Sequence, residues 1–126
     1  MRRPGLLGSW MRPTFGDHKP HKTSVEECIV ACMNCARTCQ ETLSHCLEMG
    51  GEHVAAPHIR LLLSCIDICQ TAVNFMTRRS RFARQLCKLC AKICDACAAS
   101  CGKMSDPFMQ QCAEVCRQCA DACRSM

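Results

Sequence analysis

Cysteines recur at steps of three and four along most of this chain, and that rhythm limits its fold more than any other feature. Cys28, Cys32, Cys35 and Cys39 follow C-x3-C-x2-C-x3-C, and Cys112, Cys116, Cys119 and Cys123 repeat the spacing unchanged. Between them Cys87, Cys90, Cys94, Cys97 and Cys101 are three, four, three and four apart. Alternating steps of three and four stay on one side of an α-helix, so each run is a single stripe of thiols on the seam that a helical bundle buries. A metal-filled core follows.

Sixteen cysteines in 126 residues ordinarily mean disulfides or metal. Geometry argues against disulfides. Side chains three or four apart on one helix run roughly parallel, and bridging them strains the helix. Small disulfide scaffolds are also loop-rich, whereas these cysteines sit in long helical patterns with few turn residues. Met1–Trp10 carries Arg2 and Arg3, but only Leu6 and Leu7 stand where an export signal needs an apolar stretch. Nor is there an uninterrupted run of about eighteen apolar residues, so no membrane span is expected. The expected setting is a reducing cytoplasm that keeps the thiols free as ligands. Net charge is +5, with basic residues gathered near the N-terminus and at Arg78, Arg79, Arg81 and Arg84. With 4% aromatic residues and no base-reading motif, these read as a solvated terminus and helix junction, and no nucleic-acid partner is expected.

Taken in order, residues 1–23 are rich in Pro, Gly and basic residues and read as an N-terminal extension, with a short turn of helix at Leu6–Met11 that packs Trp10 on the bundle. Residues 24–126 form the bundle. Ser24 followed by Glu27 is a capping box. The first helix runs from Val25 to Met49 and stops at Gly50-Gly51, with the seam Val25, Cys28, Cys32, Cys35, Cys39, Thr42, Cys46, Met49. The second begins near His53 or Pro57 and ends near Met76 or Arg78, with His58, Leu62, Cys65, Cys69, Ala72 and Met76 on its seam. Its other faces carry Ile59, Leu61, Leu63, Ile66, Ile68 and Val73, so a second subunit or the extension is expected to cover them. The third covers Ser80 to Met104, and the fourth Pro107 to Arg124 with Met109 and Met126 in register. Asp106 is expected to cap the fourth helix and Pro107 to take its first position.

Short connections suggest an antiparallel up-down-up-down four-helix bundle. One end then collects Cys46, Met49, His58, Met104 and Met109, with His45 and His53 close by. The other collects Val25, Met76, Ala83 and Met126. Soft thiolate and thioether groups select Cu(I), zinc or iron–sulfur clusters. The ferredoxin run is absent, and zinc prefers discrete closed four-ligand sites. Cu(I) accepts two or three thiolates, and one thiolate bridges two ions. One Cu(I) per thiolate also leaves a buried core neutral, whereas a zinc tetrathiolate carries two negative charges. Capacity on the order of one copper per cysteine is expected. Met49, Met104 and Met109 are candidate thioether ligands that would otherwise serve as core filler. His58, on the seam, ranks above His53, His18 and His21.

This pattern resembles the four-helix-bundle copper storage protein family, in particular its cytosolic branch. The resemblance spans about Ser24 to Met126 and rests on the two C-x3-C-x2-C-x3-C runs and the five-cysteine run. It implies storage of many Cu(I) ions inside the bundle, commonly assembled as a tetramer, with copper entering at a His- and Met-bearing end. His45 and Met49 resemble that entrance. The expected metal set is the sixteen cysteines, including Cys46, Cys65 and Cys69, together with His45, Met49, His58, Met104 and Met109. No enzyme is expected: His45 and Cys46 are adjacent on a helix and point about 100° apart. The alternatives are a thiol redox buffer and a zinc-binding structural protein.

Overall fold

A computed structural model describes residues 23–126. The proposed helical turn at Leu6–Met11, Trp10, His18 and His21 lie outside the described residues. Four helices follow in order: α1 (Val25–Met49), α2 (Ala56–Thr77), α3 (Ala83–Gly102) and α4 (Pro107–Arg124). One turn of 3-10 helix, Gly51–Val54, joins the first two. Each helix packs on its neighbours in sequence and α4 closes back on α1, which makes the expected four-helix bundle.

Local chemistry sets the ends. Ser24 Oγ accepts from the Glu27 amide at 3.1 Å while Glu27 Oε1 accepts from the Ser24 amide at 3.0 Å, satisfying two orphan donors and contributing about 1 kcal/mol. At its far end α1 stops where Gly50 takes φ 69° and its N–H donates back to the Cys46 carbonyl. The following Gly51, at φ 59°, is also in the left-handed region that side chains resist. α4 spans the expected residues, with Pro107 in its first turn. The start of α3 differs from expectation. Ser80 lies outside it, because residues 78–82 turn through Arg79 at φ 58° and the Ser80 hydroxyl accepts from the Phe82 amide instead.

The core is mostly sulfur. All sixteen cysteines are buried, joined by Leu62, Ile66, Ala72, Met76 and Met109, with small alanines such as Ala91, Ala113 and Ala120 letting the helices approach. α2 is long and apolar enough to cross a membrane by length and composition, the one such helix among the described residues, although Arg60 and Asp67 interrupt it. In the bundle it turns Leu62, Cys65, Ile66, Cys69 and Met76 into the core. Ile66, expected to need a second partner, is therefore covered within the chain. Ile59, Ile68 and Val73 are half-buried against the same cluster, and Leu63 stays exposed.

Candidate metal centre

The sulfurs stack into layers along the bundle axis, and the layers share members. Cys28, Cys87 and Cys123 form one group, followed by Cys32, Cys90, Cys119 and Cys123. Then come Cys35, Cys69, Cys94 and Cys119, and next Cys35, Cys39, Cys65 and Cys116. Within each group every sulfur lies within 4.8 Å of every other. Cys123, Cys119 and Cys35 each belong to two adjacent groups, which is the arrangement a bridging thiolate requires. The column continues through Cys39, Cys112 and Cys101, with Sγ–Sγ separations of 4.0 and 3.7 Å. Such distances suit thiols in contact, not covalent bridges of about 2.05 Å, and all sixteen are free.

The helix period places these groups without irregularity. Three helices carry thiols on one stripe, and α2 adds only Cys65 and Cys69. Cys65 touches Cys35 at 3.7 Å and Cys94 at 3.7 Å; Cys69 touches Cys90 at 3.7 Å. Thr42 takes a cysteine position in the α1 stripe. It is fully buried, and its hydroxyl donates to the Thr38 carbonyl at 2.8 Å, so the gap in the column is polar yet satisfied.

Protonation is divided within this ladder. Hydrogen bonds from Cys101, Cys116 and Cys39 lower the Cys97 thiol to about 6, against the pull of burial. Cys69 and Cys116 are held well above the usual thiol range by hydrogen bonds, Cys119 leading for the first and Cys112 for the second, with burial adding to both. A thiol that donates to a neighbouring thiolate keeps its proton, and the acceptor loses its own more readily.

One end of the column changes character. Cys46 Sγ lies 3.4 Å from His58 Nε2 and 3.8 Å from the Met109 sulfur. His58 is buried on the seam as expected, and its Nδ1 is 2.7 Å from Ser100 Oγ, a partner the sequence pattern did not single out. Burial raises the Cys46 thiol to about 11 and lowers the His58 imidazole below its ordinary 6.5. Met104 is half-buried at the edge of the core.

Two expectations at this end are corrected. Met49, the last residue of α1, is 54% exposed, although Cys46 one turn before it is buried. Asp106 stands before α4 but its side chain makes no capping bond. Instead Oδ2 lies 2.9 Å from His45 Nε2 and Oδ1 lies 3.0 Å from His53 Nε2. His45 is thereby engaged with Asp106, and Met49 is turned to solvent. Desolvation pulls the Asp106 carboxyl upward, but the hydrogen bonds from His53 and His45 outweigh it and leave it below its ordinary 3.8. His53 is close to this end as expected, carried there by the 3-10 turn and set beside His45. At the opposite end Val25, Met76, Ala83 and Met126 do meet, around a cavity of about 790 Å³ also lined by Arg79 and Arg84. Val25 stays 43% exposed there, so it is not a full member of the seam.

A family model described as copper storage protein matches residues 21–126. The chain belongs to the copper storage protein family. Among solved copper storage proteins, a Cu(I)-bound form named BsCsp3 is 44% identical with a TM-score of 0.77, covering 80% of this chain and 95% of that one. Apo-Csp3 from Bacillus subtilis is 42% identical with a TM-score of 0.74, covering 81% and 97%. The Nmul_A1745 protein from Nitrosospira multiformis is 50% identical with a TM-score of 0.76, covering 79% and 91%. The cysteine-rich protein YhjQ of Bacillus subtilis (strain 168) is 44% identical over 78 residues, which is 62% of this chain and 72% of YhjQ. The bundle is thus the architecture of a copper storage protein, and its thiol layers provide the material for holding several metal ions.

Proposed function

We propose that this chain stores many Cu(I) ions as thiolate complexes along the bundle axis. The observation that carries the reading is the sharing of Cys35, Cys119 and Cys123 between adjacent sulfur groups. Shared thiolates let ions sit side by side with close to one negative charge per ion, so a dry column can fill along its length without accumulating charge. Discrete zinc sites would need four unshared thiolates each. Soft thiolates and thioethers prefer Cu(I), and the solved BsCsp3 relative is a Cu(I)-bound storage protein.

The ligands in this reading are the sixteen cysteines, with Cys46, His58 and Met109 as a mixed station at the mouth and Met104 at its rim; His45, engaged with Asp106, lies outside this set. Met49, exposed on the last turn of α1, would touch copper only in transit. Residues 24–126 are the storing unit and residues 1–23 an appended segment. The protein binds and sequesters copper without turning over a substrate, works in the reducing cytoplasm, and assembles as a homo-oligomer, a tetramer by resemblance. Exposed Val30, Met33, Leu63 and Leu89 offer apolar surface for that assembly.

Anaerobic titration of the reduced protein with Cu(I), with a zinc titration alongside, tests the reading. The expected endpoint is on the order of one copper per cysteine, with helicity unchanged because the four helices are already formed without metal. Saturation at one or two ions, or zinc loading in preference to copper, would favour a structural zinc protein. Facile disulfide formation with little copper bound would favour a redox buffer.

A further inference from the structure

We infer that His45, His53 and Asp106 form a separate site for one divalent cation of borderline hardness, such as zinc, outside the thiol column at the mouth of the bundle. Three elements converge to make it: the end of α1, the 3-10 turn and the residue before α4. Their ligand atoms all lie within 4.8 Å of one another. Each carboxylate oxygen of Asp106 faces the Nε2 of a different histidine, so two imidazoles and one carboxylate already bring their ligand atoms together.

The rings are held in that pose. His45 stacks on Phe108 with centroids 4.3 Å apart and planes 3° from parallel, and His53 meets His45 edge-on at 5.5 Å. Asp106 occupies a position where a carboxylate ordinarily accepts from helix amides, yet its side chain makes no such bond. Its orientation serves the histidines. Ligands at about 2.0–2.1 Å around a tetrahedral ion are about 3.3 Å apart, so the present separations of 2.9 and 3.0 Å need to open by only a few tenths of an ångström. The three side chains are 19%, 14% and 27% exposed, which leaves water to complete the coordination.

Donor chemistry separates this site from the column. It contains no sulfur, and imidazole with carboxylate suits divalent zinc, nickel or copper better than Cu(I). With both imidazoles neutral, a bound divalent ion leaves a net charge of +1, tolerable where water reaches. As Nε2 takes up the ion, each neutral ring carries its proton on Nδ1 instead, and the hydrogen bond to Asp106 gives way to shared coordination.

The test loads the full chain with Cu(I) anaerobically so that thiols are filled, adds zinc, removes the excess by gel filtration, and counts metal while reading zinc X-ray absorption. The expected result is one zinc per chain with a shell of nitrogen and oxygen that includes two imidazoles. Asp106→Asn, which keeps the shape of the side chain, and His53→Gln should each lose that zinc at unchanged helicity. No retained zinc in the wild type, a sulfur-containing shell, or equal retention in both variants overturns the proposal. If Cu(I) does not load, the storage reading fails on its own; the reduced protein, given zinc in excess of its thiols, still reads the site as the imidazole signal that Asp106→Asn removes.

Discussion

The two ends of the bundle are built from similar amounts of methionine and differ in everything around it. At one end Met109 touches Cys46, which touches His58, beneath the His45–Asp106–His53 cluster. At the other, Met76 and Met126 line a cavity with Val25 and Ala83, among Arg79 and Arg81 of the turn between α2 and α3 and Arg84 of α3. Arg84 donates to the Met126 carbonyl at 3.0 Å there, and Arg78 and Arg81 lie over Phe75 and Phe82. In the proposed storage reading the arginine rim repels a cuprous ion, whereas the imidazole of His58 and the thioether of Met109 beside Cys46 offer it soft ligands. Thioether alone does not make an entrance. The difference gives a symmetric-looking bundle a direction.

The contrast is sharpened most by removing shared sulfur between the ends. Cys35→Ser takes a ligand from two groups at once, so copper capacity in the anaerobic titration should fall by two ions or more, whereas Cys46→Ser should cost about one. His58→Ala and Met109→Leu should slow Cu(I) uptake from a competing chelator, about tenfold for His58→Ala, with capacity nearly kept. Met76→Leu and Met126→Leu should leave uptake unchanged. Equal slowing from both ends would break the comparison.

Acidity offers a third measure. Each ion displaces a thiol proton, so apparent Cu(I) affinity should rise about tenfold per pH unit for every proton released per ion. Stability of the metal-free protein has its own profile. The Cys46 thiol is raised from 9.0 to about 11, so its contribution is full below pH 9 and is lost as pH climbs from 9 to 11. The His58 imidazole is lowered below 6.5, so its contribution is present above pH 6.5 and declines as pH falls below that value. In denaturant midpoints of the reduced apoprotein, the alkaline decline should therefore shrink in Cys46→Ala. The smallest effect belongs to Thr42→Cys, which fills the gap in the α1 stripe. It should add about one copper, with less than about 1.5 kcal/mol change in stability because the lost hydroxyl gave up only one local hydrogen bond.

Much of this was legible in the cysteine rhythm. The bounds of α1 and α4, the bundle, the complete burial of the thiols and the seam position of His58 all follow from a 3.6-residue period and a few capping residues. What escaped depends on the junctions. Periodicity carried Met49 onto the seam because it counts residues, yet this last residue of α1 is exposed. Ser80 looks like a helix start, but Arg79 in the left-handed region postpones α3 to Ala83. Asp106 resembles a cap in sequence, and only the convergence of His45 and His53 shows that its oxygens are engaged elsewhere. Local pattern describes a helix well and says little about which residues from three different elements arrive at one point.

Overlap between neighbouring sulfur groups has a consequence for how the rod fills. An ion seated at Cys119 organises part of the coordination sphere for the ion on either side, so each arrival lowers the entropic cost of the next. Sub-stoichiometric copper should then divide a population into nearly vacant and nearly replete molecules, visible as two peaks in native mass spectrometry. A cell would hold its reserve in a few full vessels and keep the remainder ready.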